Sequence, residues 1–177
     1  MLLSQLAIIY KDSGKIPETV VGIFDAISEI TFHMDAGRTV TDIPASYRNM
    51  VENIGDLLKK FSAERYRLLS EGKTVAPVKI FAKILNSYED KVPRAQFLTE
   101  YLQNRAIWVD GEFVHKMFLE YFTAVYYYEH TFDDYDELCD TDGLLKILFE
   151  HYSDPYWAQV IQLYLIKADS CIDKEMT

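Results

Sequence analysis

The chain has 177 residues, with 18 Lys and Arg against 28 Asp and Glu, giving a formal net charge of -10, and 49% of it is apolar. That length suits one domain or two small ones and can bury roughly 70% of the unfolded surface without metals or disulfides. The apolar share excludes a disordered chain, 7 Gly and 5 Pro exclude a collagen-like one, and the acidic balance argues against a nucleic-acid partner, because phosphate contacts need a basic face.

Most of the chain carries helical periodicity. Residues 2–10 are nearly all apolar and read as a buried helix, closed by the turn signal Asp12-Ser13-Gly14-Lys15. Pro17 is expected to open a second helix as a first-turn residue. Its apolar stripe would be Val20, Ile23, Phe24, Ile27, Ile30 and Met34, and Ala36-Gly37 would end it. A third helix is expected to start near Pro44 and run to about Ser70, with Glu71-Gly72 as its stop.

The texture changes over residues 72–77, the best candidate boundary between two helical units. Two shorter helices come next, over residues 78–88 and 93–105. Then comes a hairpin signal: Ile107-Trp108-Val109 and Glu112-Phe113-Val114 flank Asp110-Gly111. Asp and Gly accept the positive φ values of a type I′ turn, so residues 107–114 are predicted to pair. A long aromatic helix, His115–Glu129, comes straight after. An acidic loop and two closing helices, over residues 144–152 and 155–167, complete the chain. The fold class expected is mainly α: a helical bundle plus a winged-helix unit with one short β-hairpin. Helix, helix, hairpin is the winged-helix order, and it also arises by chance in α+β folds.

Motifs that carry chemistry are sparse. There is no phosphate-loop pattern, no G-x-G-x-x-G, no H-E-x-x-H and no C-x-x-C pair, so no catalytic residue and no metal site are assigned. Asp133, Asp134, Asp136, Glu137, Asp140 and Asp142 could hold a hard cation, but they miss the EF-hand spacing and read better as a solvated connection. His33, His130 and His151 fall near helix ends, where a histidine serves as a last-turn cation. The rings of Tyr126, Tyr127 and Tyr128 span three helix faces, so at least one must meet solvent or a partner. His115 stands apart, because it joins a strand to a helix N-terminus. An imidazole beside free backbone N–H groups can contact an anion. The alternative is that His115 caps the helix or packs under the wing. No span long enough for a bilayer (~20 apolar residues) is seen, so no membrane is expected. Two thiols without an export signal point to a reducing, cytoplasmic compartment.

The segment Glu-Phe-Val-His-Lys-Met-Phe-Leu-Glu-Tyr-Phe-Thr-Ala-Val-Tyr-Tyr-Tyr, residues 112–128, resembles the "F-h-H-x-(S/T)-F-Q-E-(Y/F)-F-A-A-x-Y" motif of the NACHT branch of STAND nucleotide-switch proteins. The match takes in Phe113, His115, Phe118, Glu120, Tyr121, Phe122, Ala124 and Tyr126; Met117 and Leu119 replace the usual Ser/Thr and Gln. The start of the chain is similar to the segment after a NACHT ATPase core, and residues 153–165 are similar to the "D-x-x-W-x-E-V-I-x-L" segment after the winged helix. The three matches keep family order.

This resemblance implies a helical domain over 1–72, a winged-helix domain over 73–130 and the start of a second helical domain over 131–177. It implies that His115 contacts the β-phosphate of ADP and holds a closed, resting state. The ATPase core and its phosphate loop would precede Met1, so ADP or ATP would bind only together with that adjoining domain, and this chain alone would not be an enzyme. The partners implied are that nucleotide-binding domain and, on release, further copies of the chain in a homo-oligomer. Two other readings compete. One is a helical scaffold that docks a partner protein through Tyr126–Tyr128 and the surface around Trp157. The other is a winged-helix DNA-binding regulator, with Arg94 and Arg105 as its poor basic footprint.

Overall fold

The computed structural model describes residues 7, 9–11, 14–33, 43–103, 108–132 and 148–175. The protein is mainly α-helical, with one two-stranded antiparallel sheet. No described helix is long and apolar enough to cross a membrane. Contacts divide the chain into two compact units, Met1–Leu57 and Leu58–Thr177. This division does not coincide with the boundaries expected at 72/73 and 130/131. The reason lies in aromatic packing: Phe61 stacks on Phe81 (centroids 4.5 Å apart) and meets Trp108 edge-on at 5.0 Å, which ties its helix to elements further along the chain.

In the first unit, residues 9–11 are helical, with Ile9 buried and Tyr10 exposed. Gly14 takes a positive φ of 71° and donates its N–H to the Tyr10 carbonyl at 2.9 Å, so the turn forms as the sequence implied. α1 spans Val20–His33 and buries Val21, Phe24 and Ile27. Two expectations are corrected here. Thr19, not Pro17, sits at the start, because its Oγ1 accepts the Gly22 N–H at 3.0 Å and its carbonyl accepts Ile23 N–H. Val20 faces outward, and Val21 takes its place in the stripe.

The third predicted helix is three pieces. A 3-10 turn, Ala45–Tyr47, leads into α2, Arg48–Glu52, and then α3, Ile54–Ser70. Asn53 makes the break. Its side-chain amide donates to the Asn49 carbonyl at 2.8 Å, so the side chain competes with the helical ladder. α3 ends as the sequence implied. Gly72 adopts φ 71°, Gly72 N–H donates to the Leu69 carbonyl and Lys73 N–H to the Leu68 carbonyl, which is a Schellman closure.

In the second unit, the Leu58–Ser70 part of α3 buries Leu58, Phe61 and Tyr66 on one face, and with them the polar Ser62 and Arg65. α4 is Pro77–Ile84 and packs on α5, Lys91–Gln103. β1 (Trp108–Val109) pairs antiparallel with β2 (Glu112–Phe113), with Trp108 opposite Phe113 and Val109 opposite Glu112. The connecting Asp110 and Gly111 have φ of 51° and 84°, as the predicted I′ turn requires. α6, Lys116–Phe132, comes directly after and packs along α7, Ala158–Glu175. Residues 148–150 are helical, whereas 144–147 and the acidic segment 133–142 lie outside the described residues. The final helix starts at Ala158 rather than Pro155.

Candidate functional site

The order α4, α5, β1-β2, α6 is the helix, helix, hairpin, helix succession expected around His115. An aromatic wedge holds the hairpin. Trp108 is buried and meets Phe61, Phe81 and Phe113, while Phe113 reaches Phe122 of α6 at 5.9 Å. Phe118, Tyr121 and Phe122 are all buried, so the aromatic helix supplies core as expected. Each such ring contributes about 1.5–3 kcal/mol by leaving water.

His115 is exposed and lies at the junction of β2 and α6. Its carbonyl accepts the Phe118 N–H at 3.0 Å, and its Nδ1 accepts the Met117 N–H at 3.4 Å. The imidazole therefore takes the place usually given to Ser, Asp or Asn at a helix start. In a neutral ring whose Nδ1 accepts, Nε2 carries the proton, so the exposed ring offers one donor. The cap reading of His115 fits this contact, and the exposed ring stands beside the N-terminus of α6.

The charges nearby are mostly matched. Lys116 pairs with the buried Glu120 at 2.8 Å, and its Nζ lies 5.0 Å above the Tyr156 ring. Arg65, deep on α3, pairs with Glu112 of β2 and donates from Nη1 to the Val75 carbonyl at 2.8 Å. Burial pushes the Arg65 guanidinium below its ordinary pKa. The Tyr66 hydroxyl donates to the Tyr156 carbonyl; burial raises the Tyr66 pKa, and Glu120 adds to the rise. Burial also raises Tyr156, against the pull of Lys116. Sequence reasoning passes over Arg65, although a signal exists: Arg65 lies four residues after Phe61 on the apolar face of its helix.

Other candidates fall elsewhere. His130 Nδ1 donates to the Tyr126 carbonyl at 2.8 Å, and its ring lies 4.1 Å from the Tyr126 ring. His151 stacks on Trp157 at 4.5 Å and 6°. Trp157 is 0% exposed, which corrects the expectation of a docking surface around it; His151, Tyr66 and Tyr127 enclose it. Of the three tyrosines, Tyr127 is buried, while Tyr126 and Tyr128 are half-buried. Arg94 is turned onto the segment just before its helix, 2.6 Å from Asp90 and 4.4 Å from the Tyr88 ring centroid, and Arg105 lies outside the described residues. Among the described residues no group of three His, Cys, Asp or Glu is placed to hold a metal ion; the side chain of His33 and all of Cys139 are not among them.

A concave region lies on α3, α4 and α6. Lys60, Glu64 and Arg67 of α3, Lys83 of α4, and Tyr126 and Tyr127 of α6 line a groove of about 460 Å³. No protein-family model, curated protein or solved structure matches the chain.

Proposed function

We propose that the chain is the regulatory helical and winged-helix module of a NACHT-type STAND switch, of the kind used in bacterial defence or signalling. In this reading α4, α5, the hairpin and α6 form the winged helix. His115 donates from Nε2 to the β-phosphate of ADP held by an adjoining nucleotide-binding domain. That bond keeps the assembly closed; exchange to ATP frees the wing and permits oligomerisation in the cytoplasm. The module itself performs no catalysis, which this reading leaves to the adjoining ATPase core, and alone it binds ADP weakly, since one imidazole–phosphate bond contributes about 1.5–3 kcal/mol, less than association costs.

The observation that carries the reading is an exposed histidine at the foot of a hairpin, with Nδ1 engaged by the helix it caps and Nε2 left as donor. The N-terminal end of α6 adds a partial positive charge at the same place. The test is His115→Ala in the intact cellular protein. Loss of copurified ADP, measured by chromatography after denaturation, and a shift to larger mass in light scattering are expected. Unchanged ADP content and unchanged mass would overturn the reading.

A protein-docking scaffold is the second reading, supported by the exposure of Phe149 and Tyr152. Its mark would be self-association of the isolated chain in sedimentation at rising concentration. The DNA-binding alternative is weakened by the pairing of Arg94 with Asp90.

A further inference from the structure

The groove on α3, α4 and α6 concentrates positive charge in an acidic protein. Lys60, Arg67 and Lys83 line it with one carboxylate, Glu64, while Arg67 Nη1 also donates to Glu71 just outside the lining; the chain as a whole carries -10. Its volume of about 460 Å³ falls in the range of small-molecule sites, roughly 300–1,000 Å³. Two tyrosines of α6, Tyr126 and Tyr127, complete the lining.

Glu64 occupies the centre of this charge. Its Oε1 accepts from Arg67 Nη2 at 3.0 Å and from Lys83 Nζ at 2.7 Å, while Oε2 accepts from Arg67 Nε at 3.2 Å. Two oxygens of one anion thus engage the guanidinium fork while a lysine reaches in from a second helix. A phosphate group presents the same paired oxygens with more charge, and the guanidinium fork binds both kinds of anion side-on. Lys83 is held loosely, with its side chain 68% exposed, so it can turn to a new partner.

We propose that this groove binds a small phosphate-bearing anion, and that Glu64 is its internal competitor, displaced from Lys83 and Arg67 when the ligand enters. The site does not include His115 and stands independently of the switch reading. Inorganic pyrophosphate and a nucleoside monophosphate share the required chemistry. The pair also tells whether the tyrosines take part.

The experiment is isothermal calorimetry on the full chain at low salt, with pyrophosphate, with inorganic phosphate and with AMP. Glu64→Gln is expected to bind pyrophosphate at least tenfold more tightly than the wild type, and added NaCl to weaken both. Lys83→Met, a change at an exposed side chain, is expected to weaken binding at least tenfold in the Glu64→Gln background, and Lys60→Met to act in the same direction. Tighter binding of AMP than of inorganic phosphate would place the ring against Tyr126; equal binding would leave the phosphate as the whole ligand, and the proposal would stand. Absence of binding to both wild type and Glu64→Gln would overturn it. So would equal affinity in those two proteins, or affinity unmoved by Lys83→Met, with melting curves establishing that each variant is folded.

Discussion

Arg65 on α3 and Glu112 on β2 form an ion pair that is buried at one end and wet at the other: the arginine side chain is 4% exposed, the glutamate 52%. This asymmetry predicts unequal mutations. Glu112→Gln leaves a desolvated guanidinium that keeps its bond to the Val75 carbonyl but loses its counter-charge, and is expected to cost about 1–3 kcal/mol. Arg65→Met keeps an apolar stem in the same space and returns Glu112 to water, so it should cost less. Urea denaturation of both variants and the double variant decides the matter. A larger loss for Arg65→Met than for Glu112→Gln would show that the pair is a net stabiliser rather than a compensated burial.

Gly111 is constrained twice over. Its φ is 84°, and a Cβ built there would lie 3.1 Å from Cγ of Pro77, the first residue of α4. A β-branched side chain suffers both the strain of the left-handed region and this contact. Gly111→Val is expected to destabilise by about 2–4 kcal/mol, more than Gly111→Ala, with the hairpin amides exchanging faster. Asp110 has a positive φ of its own, which Asn tolerates as well, so Asp110→Asn should be close to neutral. A wild-type melting temperature for Gly111→Val would be incompatible with the I′ turn.

The features legible in the sequence are those whose cause is local. Asp110-Gly111 specifies the turn, Gly72 specifies the end of α3, and the spacing of Phe118 and Phe122 specifies a buried helix face. Features decided by distant residues were not legible. Trp157 is buried because Tyr66 and Tyr127, from two other helices, close over it. The groove needs Lys83 to face Glu64 from the next helix. The break at Asn53 has a local cause, yet it escapes a periodicity reading, because the apolar spacing of Met50, Ile54 and Leu57 continues across it. At the candidate site, the position of His115 could be read, whereas the pairing of its charged neighbours could not.

The aromatic face of α6 gives a direct test of packing. Phe118 and Phe122 are both buried, and their rings stack with centroids 6.5 Å apart. Replacing either with Ala removes a large apolar surface and leaves a cavity, an expected loss of about 3–5 kcal/mol. Because the two rings touch, the double variant should lose less than the sum of the singles. Denaturant midpoints near the wild-type value would place this face in solvent.

Alkali should unfold the protein through its buried phenols. Burial pushes Tyr127 up to about 12 and raises Tyr66 as well. A folded-state pKa above the unfolded one stabilises fully below the unfolded value, near pH 10 for a free tyrosine, and the contribution is lost as pH rises toward the folded value. For Tyr127 the loss should therefore fall between about pH 10 and about 12. Thermal midpoints taken from pH 9 to pH 12 should drop across this window, and Tyr127→Phe should drop less. A flat profile in the wild type would mean the hydroxyls reach water.

His115 caps α6 with Nδ1 and is proposed to contact phosphate with Nε2, and the two roles can be separated. His115→Ala removes both, and its stability cost should be small, about 0.5–1 kcal/mol, as for a lost helix cap. His115→Asp restores a side-chain oxygen at the cap and adds a negative charge that the helix N-terminus favours, so its stability should match or exceed the wild type. The same charge repels a phosphate. The expected pattern is thus recovery of the melting temperature without recovery of ADP retention in the intact protein. If His115→Asp restored both, the imidazole would be a cap alone. If it restored neither, the Met117 contact would not be the cap at all, and the geometry that frees Nε2 would go with it.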